Sequence, residues 1–251
     1  MSLEAPITHA QIVDTEAAQE FMREALSMVS RPEVEAVGEE LEAKSRRFSQ
    51  ILEARALLGL SDDRLRALLR SIFATRRRSD QVIATVGPDQ LRHQLWLLLH
   101  DAQPVESRLD HFDQAMAGLD QGLRRDLAGE VLHFCRPWEN WLWTRWIWDP
   151  TIGTGALPLV TTDEYDLHGA SAGQIYLRVG RATAFVNRTG RSVGFTRFGS
   201  EAMGVDVYLA CVYSIYLYTV TRLRMTQEFN KVLPGLPELV RRLLGTHRME
   251  V

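Results

Sequence analysis

The chain has 251 residues, is 45% hydrophobic and 24% charged, and carries a formal charge of −3. Those values exclude collagen-like, mucin-like and wholly disordered chains, and the length suffices to bury a core without disulfides or metal. The basic residues are uneven, since 27 of the 29 are Arg and only Lys44 and Lys231 are Lys. GC-rich codons would produce that excess, and so would a need for planar forks that grip carboxylates and phosphates.

Helix signals run from the start. Asp14 caps a helix reaching about Val29, with Phe21, Ala25 and Met28 on its apolar side. Ser30-Arg31-Pro32-Glu33 combines a Ser cap, a Pro in the first turn and a Glu three residues on. The helix it opens is expected to run to near Gly59, burying Val34, Val37, Leu41, Phe48, Ile51, Leu52 and Leu58. Ser61-Asp62-Asp63 starts a third helix through Phe73, with Arg76-Arg77-Arg78 complementing its C-terminal dipole. Asp89, Pro104 and Gly122 start helices over roughly 89–101, 105–119 and 122–135. The Trp segment 137–148 is placed on faces on the condition that it is helical from Pro137, and Leu157 to Thr161 reads as a short strand. Ser171-Ala172-Gly173-Gln174 opens a helix to Gly190, with a hairpin through 187–190 as the competing form. Met203 to Met225 reads as a long buried helix, and Pro237 to Leu244 as a short amphipathic one ended by Gly245.

The predicted fold is mainly α, with at most one or two short strands. Residues 1–137 hold 22 acids and 17 bases, whereas 138–251 hold 10 acids and 12 bases. The division is therefore an acidic helical half, 1–136, packed on a Trp/Gly/Arg-rich half, 137–251, as one compact unit.

Several classes are argued against. The N-terminal stretch has Glu4 and no basic residue before an apolar run, unlike a secretory signal. Cys135 and Cys211 stand far apart with no CxxC, as for reduced thiols in a cytoplasmic protein. The uncharged run Val207–Thr221 is shorter than a bilayer span, so an integral membrane protein is disfavoured. The net charge opposes non-specific nucleic-acid binding. No Walker loop, Gly-x-Gly-x-x-Gly, Gly-x-Ser-x-Gly or His-Glu-x-x-His is present, so no cofactor and no catalytic constellation is implied.

Two segments stand out. Five Trp fall between Trp138 and Trp148, and on a helix Phe134, Trp138, Trp141 and Arg145 share a face. Arg145 then lies within a turn of Trp141 and Trp148, a geometry for guanidinium–indole stacking. From Asp166 to Glu201 no carboxylate intervenes, while Arg178, Arg181, Arg188, Arg191 and Arg197 all occur. Of these, Arg178, Arg181 and Arg188 are expected on one helix face, where they suit anions. Weaker metal candidates are Glu130 and His133, an i, i+3 pair without a second copy, and Glu164 with His168.

The leading expectation is a non-catalytic accessory or adaptor protein. It binds a partner protein, or a second copy of itself, through Trp138, Trp141, Arg145, Trp148, Arg178, Arg181 and Arg188. One alternative is an enzyme or ligand-binding protein with a pocket between the halves for an aromatic, anionic small molecule of nucleotide or coenzyme type. Another is peripheral membrane association through Trp and Arg.

Overall fold

The structure, a computed structural model, describes residues 12–194, 203–224 and 234–247. Arg197, Lys231, Met225 and the N-terminal stretch 1–11 lie outside them. Among the described residues the chain forms eleven α-helices and no sheet strand. They are α1 (Thr15–Met28), α2 (Arg31–Ile51), α3 (Ala54–Leu58), α4 (Asp62–Arg70), α5 (Ser79–Val86) and α6 (Pro88–His100), followed by α7 (Val105–Ala115), α8 (Gln121–Cys135), α9 (Ala172–Val193), α10 (Gly204–Arg224) and α11 (Leu236–Leu244).

Local chemistry sets most of the starts. The Asp14 carboxylate accepts the Ala17 N–H at 3.0 Å. Glu33 takes both the Ser30 N–H at 3.0 Å and the Ser30 hydroxyl at 2.6 Å. Asp120 caps α8 through the Leu123 N–H, and Ser171 caps α9 through the Gln174 N–H. At the other end of the chain, Gly245 closes α11 at φ 71°, a left-handed position that costs a glycine little.

Four expectations are corrected. The helix from Arg31 stops at Ile51 instead of running to Gly59, because the Glu53 carboxylate caps a new start by accepting the Arg55 and Ala56 N–H groups. The third helix ends at Arg70, and the unforeseen α5 follows a turn that contains Arg76-Arg77-Arg78. There Asp80 is held by Arg66 at 2.7 Å, a contact between elements that no local pattern announces. The stretch Leu157–Leu159 is a 3-10 turn rather than a strand, followed by one antiparallel bridge from Thr161 to Val13. The fourth correction is the Trp segment, which is not helical.

After Cys135 the chain runs irregularly to Ser171. Its backbone passes over α8 so closely that a Cβ on Gly129 would lie 1.8 Å from the Trp143 carbonyl oxygen. The Trp143 indole N–H donates to the Trp148 carbonyl at 3.1 Å, and the Ala156 and Leu157 N–H groups donate to the carbonyls of Trp146 and Ile147. The physical reason for the departure is burial. One helix face cannot turn Trp143, Trp146 and Trp148 inward together, whereas an irregular chain orients each separately.

A single apolar core runs from Ile12 to Leu244. Helix α8 packs against α2, α6 and α7, and α9 packs against α7 and α10. Helix α10 also lies against α1, α2 and α11. Its window Gly204–Thr221 is long and apolar enough to cross a membrane, and 67% of that window is buried inside the molecule.

Candidate functional site

The N-terminus of α9 is satisfied by α7. Asp110 accepts the Gly173 N–H at 2.7 Å and the Ser171 hydroxyl at 2.9 Å, placing an anion at the positive helix end. Gly173 permits this approach, since a Cβ there would lie 2.3 Å from the Glu106 carbonyl oxygen. Ile175, Tyr176, Val179, Ala182, Thr183 and Val186 then face the core.

The opposite side of α9 is open. Leu177 (46% exposed), Arg181, Ala184 and Arg188 follow at i, i+4, i+7 and i+11, forming one stripe. Among the described residues no carboxylate pairs with Arg181 or Arg188, and α9 itself contains no acid. Arg178 is displaced from this stripe. Its guanidinium holds Asp166 at 2.5 Å and the Asp166 carbonyl at 3.2 Å, and the Tyr165 hydroxyl donates to the Arg178 carbonyl. The expected common face of three arginines is thereby reduced to Arg181 and Arg188, because Asp166 lies only twelve residues away on the preceding loop.

The tryptophans divide into three environments. Trp143, Trp146 and Trp148 are buried, Trp141 is half-buried, and Trp138 is 71% exposed. Trp141 lies on α9 at Gly180, where a Cβ would meet the indole at 3.1 Å. The Tyr176 hydroxyl donates to the Trp141 carbonyl at 3.2 Å. Trp138 stands two residues before Asn140, whose side chain lies 3.5 Å from the same hydroxyl.

Arg145 does not stack between Trp141 and Trp148 as expected. Its backbone N–H and Nε bind the two oxygens of Asp126, at 2.7 and 2.9 Å. Burial pushes the Asp126 carboxyl up to about 7 even so, because Arg145 is 43% exposed and its opposing attraction is screened by water. The guanidinium that does lie over an indole is that of Arg125, 5.9 Å from the Trp143 ring. Arg125, Arg145, Trp143 and Trp148 line a shallow cleft at the start of α8, with room for about one water molecule.

Glu130 and His133 are spent inside the core. Lys44 Nζ, wholly buried, lies 2.6 Å from Glu130 Oε2, 2.8 Å from the Leu244 carbonyl and 4.0 Å from the centre of the Phe134 ring. His133 Nε2 lies 2.8 Å from Asp206 Oδ2, and Nδ1 donates to the Asn140 carbonyl at 2.8 Å. Burial pushes the Glu130 carboxyl up and the Lys44 ammonium down, and each charge pulls the other partly back. For His133, burial alone drives the imidazole down; the Asp206 carboxylate and the Asn140 carbonyl more than reverse this, leaving it above its ordinary value. These contacts tie α2, α8, α10 and α11 together.

The other metal candidates sit at the surface. His168 contacts the exposed Asp166 at 3.1 Å and places its ring edge-on to Trp148, while Glu164 is exposed. Among the described residues no three His, Cys, Asp or Glu side chains converge on a common point. Burial pushes the Cys211 thiol up to about 12 and raises Cys135 as well, the opposite of what activates a nucleophile.

Sequence reading missed Lys44, Asp206, Leu177 and Ala184. A signal existed for Lys44, one of two lysines in the chain and set at helical spacing among Val37, Leu41 and Phe48. Asp206 is the single acid in the apolar α10, which marks it as needing a partner, but nothing local points to His133, 73 positions earlier. No known protein family, curated protein or solved structure matches this chain. Its own residues therefore carry the functional reading.

Proposed function

We propose that this chain is a non-catalytic accessory protein that binds an acidic segment of a partner protein through the outer face of α9. The observation that carries this reading is the stripe Leu177, Arg181, Ala184 and Arg188, on a helix without carboxylates and flanked by the half-buried Trp141. An aromatic beside arginines and an apolar anchor is the composition of protein interfaces. The small cleft beside Arg145 supports a nucleotide- or coenzyme-sized ligand poorly, since such pockets measure roughly 300–1,000 Å³.

Fluorescence titration with poly-L-glutamate at low ionic strength tests the proposal. The expected response is a change in emission that disappears in Trp141→Phe and is suppressed by salt and by the pair R181E/R188E. A wild-type protein that does not respond, or a response unchanged by the reversals, overturns it. A parallel titration with anionic vesicles separates a protein-type ligand from a membrane surface.

A further inference from the structure

Helix α1 presents a second surface without partners. Glu16, Glu20 and Glu24 are all exposed at i, i+4 and i+8, and none pairs with a cation among the described residues. Like charges at that spacing repel and weaken the helix that carries them. Met28, 37% exposed, lies one turn beyond Glu24 on the same side, and Phe21 and Ala17 are partly exposed between the acids. The single basic residue of α1, Arg23, lies about 100° around the helix from Glu24.

We propose that the acidic segment recognised by α9 is α1 of a second copy of this chain. The inference rests on the reading of α9 as a docking face, and it names that face's occupant. Laid antiparallel, the two stripes match in length and order. Leu177 falls opposite Met28, Arg181 opposite Glu24 and Ala184 opposite Phe21. Arg188 falls opposite Ala17, between Glu16 and Glu20. Both stripes therefore span twelve residues, eleven helical rises or roughly 16 Å. An apolar contact closes one end, and each free arginine meets at least one free carboxylate.

Both helices are seated on α10 of their own copy. A reciprocal two-fold pairing uses both stripes of both copies and closes, whereas a one-way contact would grow into a chain. The assembly is accordingly a dimer with two α1–α9 contacts. The repulsion along Glu16, Glu20 and Glu24 is offset there by Arg181 and Arg188.

Sedimentation velocity of the full chain, over a range of concentrations at low and high salt, decides the matter. The wild type is expected to reach a dimer that weakens with salt. Both E20R/E24R and R181E/R188E are expected to weaken the dimer at least about tenfold. Their equimolar mixture is expected to regain it, since reversed α1 meets reversed α9 while the two native stripes form the other contact. Circular dichroism of each variant confirms that loss of mass is not loss of fold. A monomeric wild type, growth beyond a dimer, a dimer indifferent to both reversals, or a mixture that stays monomeric would each overturn the proposal. Poly-L-glutamate titration of E20R/E24R, whose α9 is untouched, separates the two conclusions. Binding there together with a monomeric wild type leaves the docking face standing and removes only its assigned occupant.

Discussion

Replacing Lys44 by Met removes one buried cation and leaves its surroundings in place. The two side chains are similar in length, so the change opens little cavity and the loss is electrostatic. The ammonium contacts Glu130 at 2.6 Å and the Leu244 carbonyl at 2.8 Å, and both groups are left without it. Breaking a buried ion pair from one side costs about 3–5 kcal/mol, and an orphaned acceptor about 1–3 kcal/mol. Glu130 keeps the Phe73 N–H, so the low ends of the two ranges apply and together give about 4 kcal/mol. For a chain of this size each kcal/mol moves the melting temperature by about 2–4 °C, so a fall of roughly 8–16 °C is expected.

Urea unfolding followed by the emission of the buried tryptophans, together with thermal melts, measures the effect. The double variant K44M/E130M removes both charges and is expected to recover more than half of the loss, because apolar replacement of a whole buried pair is often neutral. Lys44→Arg is expected to destabilise as well. A Cβ on Gly245 would lie 2.8 Å from Nζ, so the space around the ammonium does not admit a guanidinium. A Lys44→Met protein within about 1 kcal/mol of wild type, or a double variant no better than the single, would refute this account.

Other outcomes follow from the same geometry. Asp126 titrates at about 7 rather than 3.8, so the native state holds an extra proton between those values and its contribution to stability falls as pH rises through that interval. Wild type is therefore expected to lose ground against Asp126→Asn between about pH 4 and 7 in paired unfolding curves, and a pH-independent difference would contradict the assignment. His133, held above its ordinary value, stabilises most below about pH 6.5 and progressively less as pH climbs through its raised value; Asp206→Asn should abolish that slope. Gly129→Ala drives a methyl into the Trp143 carbonyl and is expected to cost about 3 kcal/mol or more, despite the better helix propensity of Ala. An unfolding midpoint equal to wild type would show that the chain over α8 yields freely. Trp138→Ala is expected to change stability by less than about 0.5 kcal/mol, given its exposure, and a larger loss would place that indole in the core.

Much of the helical framework was legible from short-range chemistry. Asp14, Ser30 with Glu33, Ser171 and Gly245 act on backbone groups within a few residues, so their signals survive in the linear order. The apolar stripe of α9 and the buried run of α10 are equally local, since periodicity alone marks the side that must leave water. The Trp segment was not legible in this way. Its density of aromatics suggested a helical face, but the close passage over Gly129 and the separate burial of Trp143, Trp146 and Trp148 depend on α8 being there to receive them.

The arginines show the same division. Sequence isolated an acid-free interval around Arg178, Arg181 and Arg188; the fold brought Asp166 back to Arg178 and left the other two on the outer face. It likewise turned Arg145 onto Asp126 and joined Lys44 to Glu130 across 86 positions. Backbone caps and amphipathic spacing are decided within one or two helical turns, and the sequence determines them alone. Which charge meets which, and which indole reaches water, depends on helices that are distant in the chain and adjacent in space, so the tertiary structure decides it.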